Sequence, residues 1–193
     1  MRRTVLFLAS STGGKAHAKA LATSLSSDRV GFLPWWEAFV PGRTLLSELE
    51  DIKKRVHGAL LIITPDIPAT IRAKNVELTN QNVLFEFGYF YGAMSREQVA
   101  LVQYGEPYLP SDLSGYIHIH GNQTFRRSSP PRISPSTRQD FLRWLESPEF
   151  RRHQRRTVAT VAALPPARAV VDRPPGAASS TQKSLRSLVQ RLA

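Results

Sequence analysis

The sequence predicts an α/β fold: five parallel strands in one open sheet, with helices packed on both faces. Three observations carry this. Short, wholly apolar runs recur at Val5–Ala9, Ala59–Ile63 and Val99–Val102, as strands buried on both faces require. Segments of helical composition or with helical caps stand between them. The resulting order, strand–helix–strand–helix–strand–helix–strand–loop–strand, is that of a parallel sheet with crossover helices.

The elements follow in order. Val5-Leu6-Phe7-Leu8-Ala9 is the first strand. Ser10-Ser11-Thr12-Gly13-Gly14 turns the chain, and Lys15 to Leu25, rich in Ala and Leu, suits a helix. Val30-Gly31-Phe32-Leu33 is a weaker second strand. Residues 34–42 read as a loop, with Pro34 at one end and Pro41-Gly42 at the other. Thr44 caps the next helix, whose acidic residues come early and whose Lys53, Lys54 and Arg55 come late, matching the helix dipole. Ala59–Ile63 is the clearest strand, ended by Thr64-Pro65-Asp66, and residues 67–79 read as an irregular loop. Asn82 to Met94 is a helix apolar almost all round, hence largely buried. Val99–Val102 and Tyr116–Ile119 are the fourth and fifth strands. Ser136 or Thr137 caps a last helix that carries Phe141, Leu142 and Leu145.

Composition limits the function classes. The chain has 193 residues and is 41% hydrophobic, enough for one domain with a substantial core and some extra chain. No run approaches ~18 apolar residues, so no membrane span is expected. Met1-Arg2-Arg3 before an apolar run has the look of a signal peptide, but the run is short and leads into polar residues, which favours a buried strand. There is no cysteine, which excludes a disulfide scaffold and a thiolate nucleophile and fits a cytoplasmic protein.

The formal charge of +11 is unevenly spread. Residues 1–125 hold 12 basic against 11 acidic side chains, whereas residues 126–193 hold 14 against 4. Together with Pro165-Pro166 and Pro174-Pro175, this divides the chain into a domain at 1–147 and an Arg/Pro-rich linker or disordered basic tail at 148–193. A short helix through Leu185, Leu188, Val189 and Leu192 is compatible with the end. Such a tail can bind nucleic acid through phosphates. The near absence of lysine and the abundance of Ala and Pro favour a linker.

In a parallel sheet, ligands bind beyond the carboxyl ends of the strands. The residues to examine are therefore Ser10 and Ser11, the Trp36-Glu37 loop with Phe39, Thr64 and Asp66, and the helix carrying Asn82 and Glu86. Glu86 stands alone as a carboxylate among Val83, Leu84, Phe85, Phe87 and Phe90, where a charge is costly unless paired or turned to a cleft. Asn82 lies one turn earlier, on the same face. A structural glutamate would look similar, and the residues alone leave both readings open. The Ser/Gly turn lacks the spacing of a dinucleotide fingerprint and of a P-loop. Of Trp35 and Trp36, one is expected inward and one outward. The five histidines show no metal-ligand grouping, so no metal is expected.

Taken together, these segments resemble one family. Val5–Ser11, Trp36-Glu37-Ala38-Phe39, Ile62–Asp66 and Asn82-Val83-Leu84-Phe85-Glu86-Phe87-Gly88-Tyr89-Phe90 are similar, in order, to the TIR-like domains of bacterial anti-phage effectors of the STING-associated and Pycsar type. That family is marked by N-V-x-F-E-x-G-x-F. The resemblance covers about residues 4–120. It implies a flavodoxin-like TIR fold and an NAD glycohydrolase with Glu86 catalytic. NAD is then the substrate, and no cofactor is required. It implies that Ser10, Ser11 and Asp66 line ribose or phosphates and that Trp36 lies over a base. It implies a homo-oligomer or filament that orders residues 34–43, and a separate cyclic-nucleotide sensor. Two departures stand out: Asn80-Gln81 where the family has Arg-Asp, and Ile67 where it has a second acid. A non-catalytic nucleotide-binding scaffold and a nucleoside deoxyribosyltransferase-like enzyme are the competing classes.

Overall fold

The computed structural model describes residues 3–121, 125 and 132–161. Five parallel strands form one sheet: β1 (Thr4–Ser10), β2 (Val30–Pro34), β3 (Gly58–Ile63), β6 (Val99–Gln103) and β7 (Ile117–His120), in the spatial order β2-β1-β3-β6-β7. This is the flavodoxin-like order, in which the chain reverses direction across the sheet at β1 and β3. Register places Leu8 beside both Pro34 and Leu60, and Leu61 beside Leu101. The β6–β7 pairing shifts between Leu101 and Val102.

Strand periodicity sorts the core into two layers. Leu6, Leu8, Leu60, Ile62, Ala100 and Val102 meet α1 (Lys15–Leu25) and α5 (Pro135–Glu146) on one face. Phe7, Ala9, Leu61, Ile63 and Leu101 meet α3 (Leu45–Arg55) and α4 (Gln81–Ala93) on the other. Most of these side chains have no exposed surface, and each contributes roughly 1.5–3 kcal/mol by leaving water. The caps are local. Thr44 accepts from the Ser47 amide, as expected. Ser134, rather than Ser136 or Thr137, caps α5, because Pro135 occupies the first helical position, where its missing N–H costs nothing.

Three segments depart from the sequence reading. Residues 35–38 form a helical turn, α2 (Trp35–Ala38), inside what reads as a loop. Residues 67–78 form an antiparallel hairpin, β4 (Ile67–Ile71) with β5 (Lys74–Leu78), in place of an irregular loop. Its two-residue turn is Arg72-Ala73, both at positive φ (49° and 61°). Turns of this shape ordinarily use Asn-Gly, so the sequence lacks the usual signal. The hairpin is tied to the domain by the Asp66 amide donating to the Leu78 carbonyl (2.9 Å) and the Tyr108 amide donating to the Glu77 carbonyl (2.6 Å).

The third departure concerns the boundary at 147. Residues 148–161 form α6 (Pro148–Val161) rather than linker. Phe150 is fully buried against Trp144, with ring centroids 5.0 Å apart, and the Gln154 side chain donates to Thr4 at the start of β1. The chain therefore covers the amino ends of the strands, opposite the edge where ligands bind. Residues 162–193, including the segment around Leu185–Leu192, lie outside the described residues.

Candidate functional site

The carboxyl ends of β1, β2 and β3 bring Ser10, Pro34 and Ile63 to one edge. α4 descends from that edge. The Asn80 side chain accepts from the Asn82 amide (2.9 Å) and caps it, so the residue that departs from the family's Arg-Asp has a structural task here. At about 1.5 Å per residue, Glu86 lies roughly 7–8 Å below the start of the helix. Its face of α4 carries Val83, Phe87 and Phe90, all buried, and the Phe90 ring sits 5.1 Å from that of Phe7.

Glu86 is 6% exposed and, among the described residues, has neither a hydrogen bond nor an ion pair. Burial alone pushes its carboxyl up to about 7. An unpaired carboxyl held near neutrality on the helix that descends from the sheet's carboxyl edge is a candidate reacting group. Asn82, expected beside it, is exposed. It stands in the first turn of α4, about a turn above Glu86 on the same face, at the solvent-exposed end of the helix.

The β1–α1 turn and the end of β3 are joined by a compact polar cluster. The Ser11 hydroxyl donates to Asp66 Oδ1 (2.9 Å) and the Thr64 hydroxyl donates to Asp66 Oδ2 (2.9 Å). The two hydroxyl oxygens are 3.3 Å apart, and the Gly14 amide donates to Ser11 Oγ (2.9 Å). Gly13 is required by this packing: a Cβ there would lie 2.6 Å from Asp66 Oδ1. Thr64 is fully buried and Ser11 6% exposed, so both face the cluster rather than solvent. Ser10 is also buried and accepts from Trp35 Nε1 (3.1 Å).

The tryptophans divide differently from the expected one-in, one-out pattern. Both are half-buried, because they start a helical turn rather than a strand. Trp35 packs with Phe39 on the α3/α4 face, the face of Glu86, while Trp36 packs on the α1/α5 face. Lys15 Nζ lies 5.0 Å from the Trp36 ring centroid and Lys19 Nζ 6.0 Å from it, a cation–π arrangement. Glu37 is exposed, and the Phe39 ring lies tilted against that of Phe7, with centroids 6.1 Å apart. Trp35, bonded to Ser10 and on the side of Glu86, is the residue the sequence reading passed over. The adjacent tryptophans signalled the place but not which of them shares that face.

The 39–44 segment is pinned to α3. Glu48, buried there, accepts from the Val40 amide (3.3 Å) and pairs with Arg43 Nε (3.0 Å), and Arg43 also reaches Asp51 (2.6 Å).

A doubly wound sheet with this strand order, an unpaired glutamate on α4 and a Ser/Thr/Asp cluster at its carboxyl edge define a flavodoxin-like α/β domain with a candidate site at that edge. The sequence model of the CAP12/Pycsar effector TIR domain matches residues 5–123, and the chain belongs to that family. It is 33% identical over 91 residues to CD-NTase-associated protein 12 of Sphingobacterium faecium, covering 47% of this chain and 28% of that protein. It is 29% identical over 126 residues to the Pycsar effector protein PaPycTIR of Pseudomonas aeruginosa, covering 63% of this chain and 41% of the relative. An uncharacterized protein of Escherichia coli, YuaY, is 33% identical over 78 residues, 39% of this chain and 26% of its own length. The chain thus spans between a quarter and about two fifths of these relatives.

Proposed function

We propose that this chain is an NAD glycohydrolase, an effector in an anti-phage system governed by a cyclic-nucleotide signal. The observation that carries the reading is Glu86: buried, unpaired, held near neutrality, and within the motif that marks the family. The names of the relatives, a CD-NTase-associated protein and a Pycsar effector, support the signalling context.

The chemistry suits one carboxyl group. Nicotinamide departs as a neutral molecule, so its leaving needs no proton. The C–N bond to ribose breaks, positive charge develops on the ribosyl carbon, and water completes the hydrolysis, releasing a proton. A carboxylate beside that carbon stabilises the charge in proportion to how little water screens it. Glu86 must be ionised for this, and a cationic nicotinamide ring bound nearby favours ionisation. Trp35 and Phe39 supply apolar walls on the same face. Substrate contacts from Ser10, Trp36, Glu37, Phe39 and Asn82 belong to this proposal.

Assembly of several copies is part of it. Val40 (55% exposed) and Leu46 (48%) leave apolar surface around the 34–43 segment, which a neighbouring copy would cover. A separate sensor protein would supply the signal, and the cytoplasm, where NAD is abundant, is the compartment. Among the described residues no helix is long and apolar enough to cross a membrane. The test is nicotinamide release from NAD across a protein-concentration series, with Glu86→Gln alongside. Release that rises steeply with concentration and is lost in the variant supports the reading. Equal rates in parent and variant sink it.

A further inference from the structure

We infer that Asp66 is a positioning residue. Its carboxylate locks the Ser11–Gly14 turn onto the end of β3 and thereby sets the shape of the ligand edge. The inference rests on the NAD-cleaving reading only for its kinetic arm.

Hydrogen-bond accounting leads to this. A serine or threonine hydroxyl has one proton to give. Ser11 gives its proton to Asp66 Oδ1 and Thr64 gives its proton to Asp66 Oδ2, both at 2.9 Å. Neither has a donor left for a phosphate or a ribose oxygen. Ser11 Oγ already accepts from the Gly14 amide, and Thr64 has no exposed surface. The two hydroxyls expected to line the substrate are therefore the arms of a clamp whose centre is Asp66. The carboxylate itself is fixed from behind, since the Asp66 amide is held by Leu78 at the base of the β4–β5 hairpin (2.9 Å). From the front it is fitted to Gly13, which leaves no room for a Cβ. The β1–α1 turn and the end of β3, distant in sequence, thus meet on the Asp66 side chain, while the end of β5 holds the Asp66 backbone. What the clamp leaves facing outward is Thr12 and Gly13, both exposed. Those are the turn atoms a ligand would meet.

Charge and position can be separated by substitution. In Asp66→Asn, the amide oxygen still accepts from Ser11, and the amide nitrogen donates to Thr64, whose hydroxyl turns to accept. The shape survives without the charge. Asp66→Ala removes both contacts. Gly13→Ala pushes the carboxylate away while removing no polar group.

The experiment measures steady-state NAD cleavage in the assembled full-length protein, together with amide hydrogen exchange over residues 11–15, for Asp66→Ala, Asp66→Asn and Gly13→Ala. Positioning predicts a KM raised tenfold or more in Asp66→Ala and Gly13→Ala, with a smaller fall in kcat. It predicts that Asp66→Asn recovers most of the loss. Exchange over residues 11–15 should rise at least tenfold in the first two variants and much less in Asp66→Asn. If Asp66→Asn loses kcat as deeply as Asp66→Ala while its exchange stays that of the parent, the charge acts on the substrate and the inference is overturned. If the parent cleaves no NAD, the enzymatic reading fails and exchange alone decides: unchanged exchange in Asp66→Ala overturns the clamp, and the predicted ordering upholds it.

Discussion

Replacing Glu86 by Gln should make the domain more stable while abolishing the proposed NAD cleavage, and the gain should depend on pH in a defined direction. In the fold the carboxyl is held at about 7 by burial, against 4.5 when exposed. Near pH 4 both folded and unfolded chains carry it protonated, and the substitution changes little. Between 4.5 and 7 the unfolded chain gives up its proton while the folded chain keeps it, so the parent loses stability as pH rises. Above 7 the folded state bears a buried, unpaired charge at a cost of about 3 kcal/mol. Glutamine has the same shape and no charge. The expected gain is therefore less than about 1 kcal/mol at pH 5 and up to about 3 kcal/mol at pH 8. At 2–4 °C per kcal/mol for a domain of this size, that corresponds to roughly 5–10 °C in melting temperature at pH 8. The assay is thermal unfolding of parent and variant at both pH values. A difference that is the same at pH 5 and pH 8, or absent at pH 8, would refute the claim that Glu86 is buried without a partner. Cleavage by the parent should follow the same titration, with kcat/KM falling as pH drops through about 7.

Three further outcomes are expected. Arg43→Ala removes the cation that pairs with buried Glu48 and with Asp51; because Arg43 is exposed, the loss of stability should be small and smaller still in high salt, with faster exchange at the Val40 amide. Arg72→Asn combined with Ala73→Gly should relieve the positive-φ turn and raise the denaturant midpoint by about 1 kcal/mol of stability, since both residues tolerate that backbone region better. Phe150→Ala should cost about 3–5 kcal/mol, as for any fully buried aromatic ring, and chains ending at residue 147 should unfold at lower temperature than chains ending at 161.

What was legible in the sequence was local. The strands are buried by a helix layer on each face, and that is printed in the wholly apolar runs Leu6-Phe7-Leu8-Ala9 and Leu60-Leu61-Ile62-Ile63. The Thr44 cap and the charge gradient along α3 are contained within a dozen residues. Glu86 stood out because one carboxylate among aromatic neighbours is anomalous wherever the helix packs. The hairpin was not legible, because its turn is made by Arg72-Ala73 rather than by Asn-Gly and its strands are short and mostly exposed. α6 was hidden by its run of basic residues, of which Arg151 and Arg152 are exposed, while Phe150 reaches deep into the core.

The tertiary structure decided the division of labour among the polar residues. Ser11 and Asp66 are 55 positions apart, and which hydroxyl gives its proton to which carboxylate is fixed only when β1 and β3 pair. The same holds for the tryptophans: adjacency marked the place, but the helical turn 35–38 set Trp35 on the face of Glu86 and Trp36 on the other. By itself, then, the sequence determined the fold class, the ligand edge and the one carboxylate worth testing, because hydrophobic period and composition are properties of short segments. Only the folded chain decided which side chains are free to meet a ligand, because a hydrogen-bond donor can be committed once, and its partner is chosen by the packing of distant strands.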